Sequence, residues 1–300
     1  LQNISGTEQT VQFFIDPGYQ ILSVQADGVD VPFSVDGYQA MHEKRFDVTI
    51  PAGPEMELTI DYGGFPQEWN AVATTQGSLE ISDVYMQLEN DVLSPSPHNV
   101  WYQGDSLPAV MELTLSGHMK PILFGAGSTE LLRENGNGTK TWRMTDDGYH
   151  MIVYVGDYIL EEIPVESAGI TVNFYYSRKH QPIMEAINAT ESIRQTIEYC
   201  TEHIGPLSFY GDGTFNLIES RISGGGYAGD GASLANEGDF TIQNLSDGAK
   251  GGSSAQVTIH ELVHQWWGLA NMFESAYTES VWSAEGLTCY TTYRIVKELY

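Results

Sequence analysis

The first 175 residues are dominated by short segments in which apolar and polar residues alternate, and this pattern restricts the fold more than any other feature. Because successive side chains of a strand point to opposite faces, such alternation predicts half-buried β-strands. Asp-Gly, Asn-Gly and Pro-Gly steps between the segments are typical of tight turns. The clearest segments are 10–15, 46–50, 57–62, 110–115, 150–155 and 170–175. We therefore predict an antiparallel β-rich first domain, a saddle or a sandwich, over residues 1–175.

The pattern changes near Ser177, where helical spacing replaces the alternation. Between residues 181 and 204, apolar side chains recur every three or four positions, which is typical of an amphipathic helix. Gly205 and Pro206 follow this run and predict its end. A chain that changes from strands to mixed helix and strand predicts a multidomain α+β protein, with a second, mixed domain over residues 176–300.

Three further elements are predicted in the second part of the chain. A β-branched and aromatic run predicts a strand at 215–219. Ser253 and Gln256 match a capping box and predict that a helix begins near Ser253. A last helix is predicted from about Val281 to the end of the sequence.

The sequence is strongly acidic, with 13 Lys and Arg residues against 40 Asp and Glu residues and a formal net charge of −27. This charge argues against nucleic acid and anionic lipid as partners, because their phosphates would be repelled. Two cysteines, Cys200 and Cys289, are too few for a disulfide scaffold. We expect a highly soluble extracellular or bacterial cell-surface protein, with attachment to a membrane through segments outside this chain left open.

The segment 260–264 has the sequence H-E-L-V-H, which carries the strongest chemical signal. On a helix, His260 and His264 lie one turn apart and about 40° around the axis, and Glu261 lies at about 100°. The apolar residues of the same helix point to the opposite side. Two imidazoles one turn apart can bind one metal ion, and the adjacent glutamate can reach a water on that ion. We predict His260 and His264 as zinc ligands and Glu261 as the general base.

A catalytic zinc site needs a third protein ligand and keeps one position for water. A third histidine at the metzincin spacing is absent, because Ala270 occupies that position. The carboxylates downstream are Glu274, Glu279 and Glu285. Glu285 begins the last predicted helix, which is a more rigid platform than a loop. We therefore predict Glu285 as the third ligand, with Glu274 and Glu279 as solvated or supporting carboxylates.

Two segments carry a resemblance to a known family: 260–268, H-E-L-V-H-Q-W-W-G, and 282–286, W-S-A-E-G. They resemble the zinc-binding segments of the aminopeptidase N family of zinc metallopeptidases, which are gluzincins. The resemblance implies a β-saddle domain followed by a thermolysin-like catalytic domain. It also implies one zinc ion per chain, a peptide substrate and an aminopeptidase-like hydrolysis of peptide bonds. The residues it implies for these roles are His260, His264 and Glu285 as ligands and Glu261 as general base.

Two departures from the family pattern concern spacing and length. Twenty residues, 265–284, separate His264 from Glu285, which is two more than the family usually has. We expect the extra residues to enlarge the loop around 275–278. The family's oxyanion-stabilising tyrosine lies further along the chain than residue 300, so we expect this sequence to be part of a longer protein.

The third departure is the glycine-rich segment 224–229, which stands where the family has its G-A-M-E-N exopeptidase motif. The glutamate that would bind a substrate's free amine is absent there, and Glu237 is a candidate to replace it. The segment also matches the dinucleotide pattern G-x-G-x-x-G, but no helix clearly begins there and no cation is available for phosphate. The residues that we predict to line the substrate are Gly225, Gly226, Tyr227, Ala228 and Glu237.

Two other functions stay open on the sequence alone. The first is an extracellular binding or sensing module of a larger protein with a retained but inactive zinc site, which the missing amine-binding glutamate favours. The second is hydrolysis of a non-peptide bond on the same scaffold. Metal-assisted peptide hydrolysis is the function that we predict, because the ligand and base residues are all present.

Overall fold

The computed structural model describes most of the chain in fourteen segments. They are residues 2–15, 19–40, 43–64, 80–81, 85–89, 93–95, 109–124, 127–146, 152–207, 213–220, 226–229, 232–236, 255–270 and 282–300. None of the helices within these segments is long and apolar enough to cross a membrane.

Strands dominate the described residues up to Ser177, and four α-helices and three further strands follow in the described part of the chain. The strands are β1 (Gln9–Ile15), β2 (Tyr19–Ala26), β3 (Val29–Asp30), β4 (Phe33–Ala40), β5 (Glu43–Ile50), β6 (Leu58–Gly64), β7 (Glu80–Ile81), β8 (Tyr85–Glu89), β9 (Leu93–Pro95), β10 (Ala109–Ser116), β11 (Lys120–Phe124), β12 (Ser128–Glu134), β13 (Thr139–Asp146), β14 (Ile152–Gly156), β15 (Tyr158–Val165), β16 (Ile170–Ser177), β17 (Thr214–Ser220), β18 (Tyr227–Gly229) and β19 (Ala232–Asn236). The helices are α1 (Gln181–Ile187), α2 (Ala189–His203), α3 (Ala255–Val263) and α4 (Leu287–Leu299).

The strands before β15 form antiparallel sheets, in the orders β4-β5-β1-β9, β3-β2-β6, β10-β13-β12 and β11-β14-β8-β7. The alternation of apolar and polar residues places every second side chain in a core. In β5, for example, Phe46, Val48 and Ile50 are buried, and the residues between them are not. They pack in one cluster with Phe13 and Val24 from β1 and β2. A sheet-rich chain with helices in its second part confirms the predicted α+β class.

The last sheet is mixed and has the order β15-β16-β17-β19-β18. β16, β17 and β19 run parallel, and β15 and β18 are antiparallel to their neighbours. Helices α1 and α2 connect β16 to β17, as a parallel pair requires a crossover. Apolar residues of α2, α3 and this sheet form one core that includes Phe174, Ile197, Leu217 and Trp266. This core supports the helix that carries the histidines.

The boundary predicted near residue 175 falls inside β16. β16 pairs with β15 on one side and with β17 on the other. The core of this sheet extends from Ile163 to Ile295, so residues on both sides of position 175 share it. The division into domains 1–175 and 176–300 stays a prediction.

The helix predicted over 181–204 is two helices, which corrects that prediction. Asn188 separates α1 from α2 with φ 54° and ψ 49°, in the left-handed region. Asparagine adopts this conformation more readily than most residues, so it can end one helix and begin the next. The helical periodicity itself is correct, because Ile193, Ile197 and Cys200 are all buried. The capping box at Ser253 lies outside the described residues.

Candidate metal centre

Helix α3 separates its apolar and polar faces in the way that the sequence predicts. Ile259, Leu262 and Val263 are buried in the core of the mixed sheet. His260 and Glu261 therefore lie toward the other side of the helix. His264 follows the last residue of α3 and keeps a helical hydrogen bond, since its N–H donates to the carbonyl of His260 at 3.1 Å. The two imidazoles are one turn apart, and their ring centroids are separated by 4.5 Å.

Glu285 lies in a π-helical turn, Trp282–Gly286, that leads directly into α4. Its Oε2 atom is 3.1 Å from Nε2 of His260 and 3.5 Å from Nε2 of His264. Single π-turns within helices often occur at functional sites. α4 packs against α3, so the two helices bring the three residues together.

The donor set fits a zinc ion. The ligand atoms of His260, His264 and Glu285 lie within 4.8 Å of one another. In a tetrahedral site with bonds of about 2.0–2.1 Å, neighbouring ligand atoms are about 3.3 Å apart. The two distances to Glu285 lie on either side of that value. Two imidazole nitrogens and one carboxylate leave the fourth position of such a site for water.

The contacts of Nδ1, the ring nitrogen of His264 that faces away from Glu285, determine which of the two ring nitrogens carries the hydrogen. Nδ1 is 3.0 Å from the carbonyl oxygen of Trp267 and 3.3 Å from Oγ1 of Thr288. A carbonyl oxygen can only accept, so Nδ1 must carry the hydrogen and donate it. When the imidazole is neutral with its hydrogen on Nδ1, its lone pair lies on Nε2, the nitrogen 3.5 Å from Oε2 of Glu285. This is the arrangement that a metal-binding histidine requires.

Gly268 allows the Trp267 carbonyl to turn back to His264. Its φ is +94°, which side-chain-bearing residues rarely adopt. A Cβ atom there would lie 2.9 Å from Cβ of Ala284 and 3.4 Å from Nδ1 of His264. Glycine is therefore required both by the backbone conformation and by the close approach of the turn that carries Glu285.

His260 has a weaker outer contact than His264. Its Nδ1 is 3.9 Å from the sulfur of Cys289, which lies one turn after Glu285 on α4. Burial lowers the pKa of His260, and the neighbouring His264 lowers it further, against an opposing effect of Glu285. The lowered pKa favours the neutral imidazole, which is the form that binds a metal ion.

Glu261, the predicted general base, lies against the glycine-rich segment. Glu261 is only 7% exposed. A Cβ atom at Gly226 would lie 2.2 Å from Cγ of Glu261, so the backbone at residue 226 touches this side chain. The chain continues from Gly226 into β18, the terminal strand of the mixed sheet in the described part of the chain. The predicted base and one end of the predicted substrate segment are therefore adjacent.

Several predicted residues cannot be placed at the site. Gly225 and Glu237 lie outside the described residues, as do Glu274 and Glu279, and the side chain of Tyr227 is not described. Ala228 lies in β18, opposite Ser233 of β19. The substrate roles of all five predicted residues stay predictions. Sequence reasoning missed Thr288, although its position three residues after Glu285 places it near the same helical face.

The fold is similar to that of solved M1 zinc metallopeptidases. The structure of the M1 zinc metallopeptidase from Deinococcus radiodurans matches 95% of this chain and 62% of its own, with a TM-score of 0.52 and 15% identity. A two-domain M1 zinc metallopeptidase mutant bound to L-arginine matches 95% of this chain and 65% of its own, with a TM-score of 0.51 and 15% identity. Native yeast LTA4 hydrolase matches 98% of this chain and 46% of its own, with a TM-score of 0.51 and 13% identity.

These identities are low, so the likeness concerns the fold alone. The chain spans less than two thirds of the length of each of these structures. No family model and no curated protein matches the sequence. These likenesses support an M1 peptidase-like fold, while the arrangement of a β-saddle domain followed by a thermolysin-like domain stays a prediction.

Proposed function

We propose that this protein is a zinc-dependent hydrolase that cleaves peptide bonds. The observation that carries the proposal is the convergence of Nε2 of His260, Nε2 of His264 and Oε2 of Glu285. The fold supports the same class, because solved structures with this fold include zinc metallopeptidases. His260, His264 and Glu285 would hold one zinc ion per chain.

A bound zinc ion supplies a water with a pKa near 7 and polarises the carbonyl of the bond to be cleaved. The carboxylate of Glu261 accepts the proton of the attacking water and delivers it to the nitrogen of the leaving amine. Its position on α3 directly after His260 and its contact with the backbone at Gly226 restrict its motion. A general base that is already held in place lowers the entropic cost of the reaction.

The edge strand β18 offers a binding surface for an extended peptide. β18 pairs with β19 on one side and is the last strand of its sheet within the described residues. It also packs against α3, the helix of His260 and Glu261. An extended peptide can add to such an edge through main-chain hydrogen bonds. This surface supports a peptide as the substrate.

Replacing Glu261 by glutamine tests the assignment of the base. We expect the peptidase rate to fall by about 10²–10⁴-fold, since the amide cannot accept the proton. Bound zinc, measured by mass spectrometry of the metal, should stay at the wild-type level. Glu202→Gln, at an exposed position of α2, is the control and should leave the rate unchanged. A Glu261→Gln variant as active as wild type would exclude this role.

We further propose an aminopeptidase-like preference for a free amino terminus, which the likeness to an M1 enzyme bound to L-arginine supports. Two peptides of the same sequence, one with a free and one with an acetylated amino terminus, test it. Faster cleavage of the free peptide is expected. Equal rates would identify an endopeptidase instead, and the zinc-hydrolase assignment would be unaffected.

A further inference from the structure

Thr288 lies on the first turn of α4 with its hydroxyl against His264. The residue is completely buried. Its Oγ1 atom is 3.3 Å from Nδ1 of His264 and 3.5 Å from the carbonyl oxygen of Trp267. These two atoms are themselves 3.0 Å apart. The hydroxyl therefore closes a triangle of polar atoms on the outer side of the His264 ring.

The direction of the hydrogen bonds in this triangle follows from its members. The Trp267 carbonyl only accepts, and it is the nearer partner of His264 Nδ1. Nδ1 must therefore be protonated, and Oγ1 of Thr288 can only accept from the same N–H. The hydroxyl hydrogen is then available for the Trp267 carbonyl. The contacts on the Nδ1 side of the ring therefore favour the tautomer with the lone pair on Nε2, against the carboxylate of Glu285 at 3.5 Å from Nε2.

Two other buried threonines on α4 lack this contact. Oγ1 of Thr291 accepts a hydrogen bond from Nε1 of Trp267 at 3.0 Å. Oγ1 of Thr292 is buried without a hydrogen-bond partner among the described residues. Thr292 therefore supplies a matched comparison: the same residue type on the same helix, equally buried, but without a contact to a predicted ligand.

We propose that Thr288 is a positioning residue that holds His264 in the Nδ1–H tautomer, with Nε2 directed toward Glu285. The role rests on the proposed function, in which His264 binds zinc. His260 has no comparable support among its described contacts, since its outer nitrogen meets only the Cys289 sulfur at 3.9 Å. His264 is thus the more firmly oriented histidine of the pair, and Thr288 adds to that orientation.

The zinc affinity of three variants tests the role. Thr288→Val keeps the shape but removes the hydroxyl, Thr288→Ser keeps the hydroxyl, and Thr292→Val is the control. Competition with a chromophoric chelator should show zinc bound about tenfold more weakly by Thr288→Val, in the range typical of lost outer contacts. Thr288→Ser and Thr292→Val should stay within about twofold of wild type. Equal affinities for Thr288→Val and Thr292→Val would overturn the proposal, as would a serine variant as weak as the valine variant.

The tautomer of His264 gives a second test that needs neither zinc nor a stable variant. Long-range proton–nitrogen NMR correlations of the wild-type protein, freed of metal and held at a pH where the ring is neutral, distinguish the two tautomers. The Nδ1–H form is expected, and a predominant Nε2–H form would overturn the proposal. Wild-type protein that binds no zinc would refute the proposed function, whereas the tautomer would still decide the arrangement around Thr288.

Discussion

The core around β5 and the contact between α3 and α4 are both buried, but they are built from different residues. Around β5, Phe46, Val48 and Ile50 belong to a cluster of buried apolar side chains. On and next to α3 and α4, the buried residues include Glu261, His264 and three threonines of α4. Burying polar groups costs free energy unless each finds a partner. Burying polar groups at α3 and α4 costs free energy, but it holds those groups in fixed orientations. A core of apolar side chains supplies no such groups.

The greatest loss of stability is expected from a substitution in the apolar core around β5. Phe46 is completely buried and stacks on Phe13 with ring centroids 5.4 Å apart. We expect Phe46→Ala to lower the free energy of unfolding by about 3–5 kcal/mol, because it leaves a cavity. Urea denaturation measures this loss. Zinc affinity of the variant in native buffer should equal that of wild type, and a parallel loss of zinc would show that the two regions are not independent.

A smaller effect, confined to activity, is expected at Gly226. Alanine there would place Cβ 2.2 Å from Cγ of Glu261, so one of the two must move. A displacement of about 1 Å in a catalytic group can cost about 10²-fold in rate. We expect kcat of Gly226→Ala to fall by about that factor while zinc content stays at the wild-type level. Gly136→Ala, which has open space around its Cβ position, serves as the control. An unchanged kcat in Gly226→Ala would mean either that Glu261 takes no part in the reaction or that Gly226 does not contact it.

The smallest effects are expected from Gly268, four residues after His264, and Gly286, directly after Glu285. Gly268→Ala meets a positive φ and a contact of 2.9 Å with Ala284, and should cost about 1–3 kcal/mol of stability. Gly286→Ala has φ −65° and open space, and should stabilise the protein by about 0.4–1 kcal/mol. Thermal or urea denaturation compares them. Effects of the same sign in both variants would contradict the backbone geometry described for the turn at Gly268.

The sequence predicts the apolar core around β5 better than the polar contacts at α3 and α4. Alternation identifies β5, and helical spacing identifies Ile193 and Ile197 as buried, because periodicity directly reflects which face is covered. The H-E-x-x-H spacing likewise identifies His260 and His264 as neighbours on one face. These features are local in the chain, so a short window contains the whole signal.

The remaining features depend on backbone conformation and on contacts between distant residues. The left-handed Asn188 divides a helix that periodicity predicts as continuous. The Trp267 carbonyl reaches His264 only because Gly268 adopts a positive φ. Thr288 becomes important only after α4 packs on α3. No local residue pattern predicts the direction of a carbonyl or the hydrogen-bond partner of a hydroxyl, because both depend on the packing of distant residues.

Anomalous diffraction at the zinc absorption edge decides whether His260, His264 and Glu285 hold one zinc ion. A crystal of the zinc-loaded protein should show one peak per chain within about 2.0–2.2 Å of Nε2 of both histidines and of a carboxylate oxygen of Glu285. A zinc-loaded crystal without a peak at that position, or with a peak held by other residues, would show that these three residues do not form the zinc site.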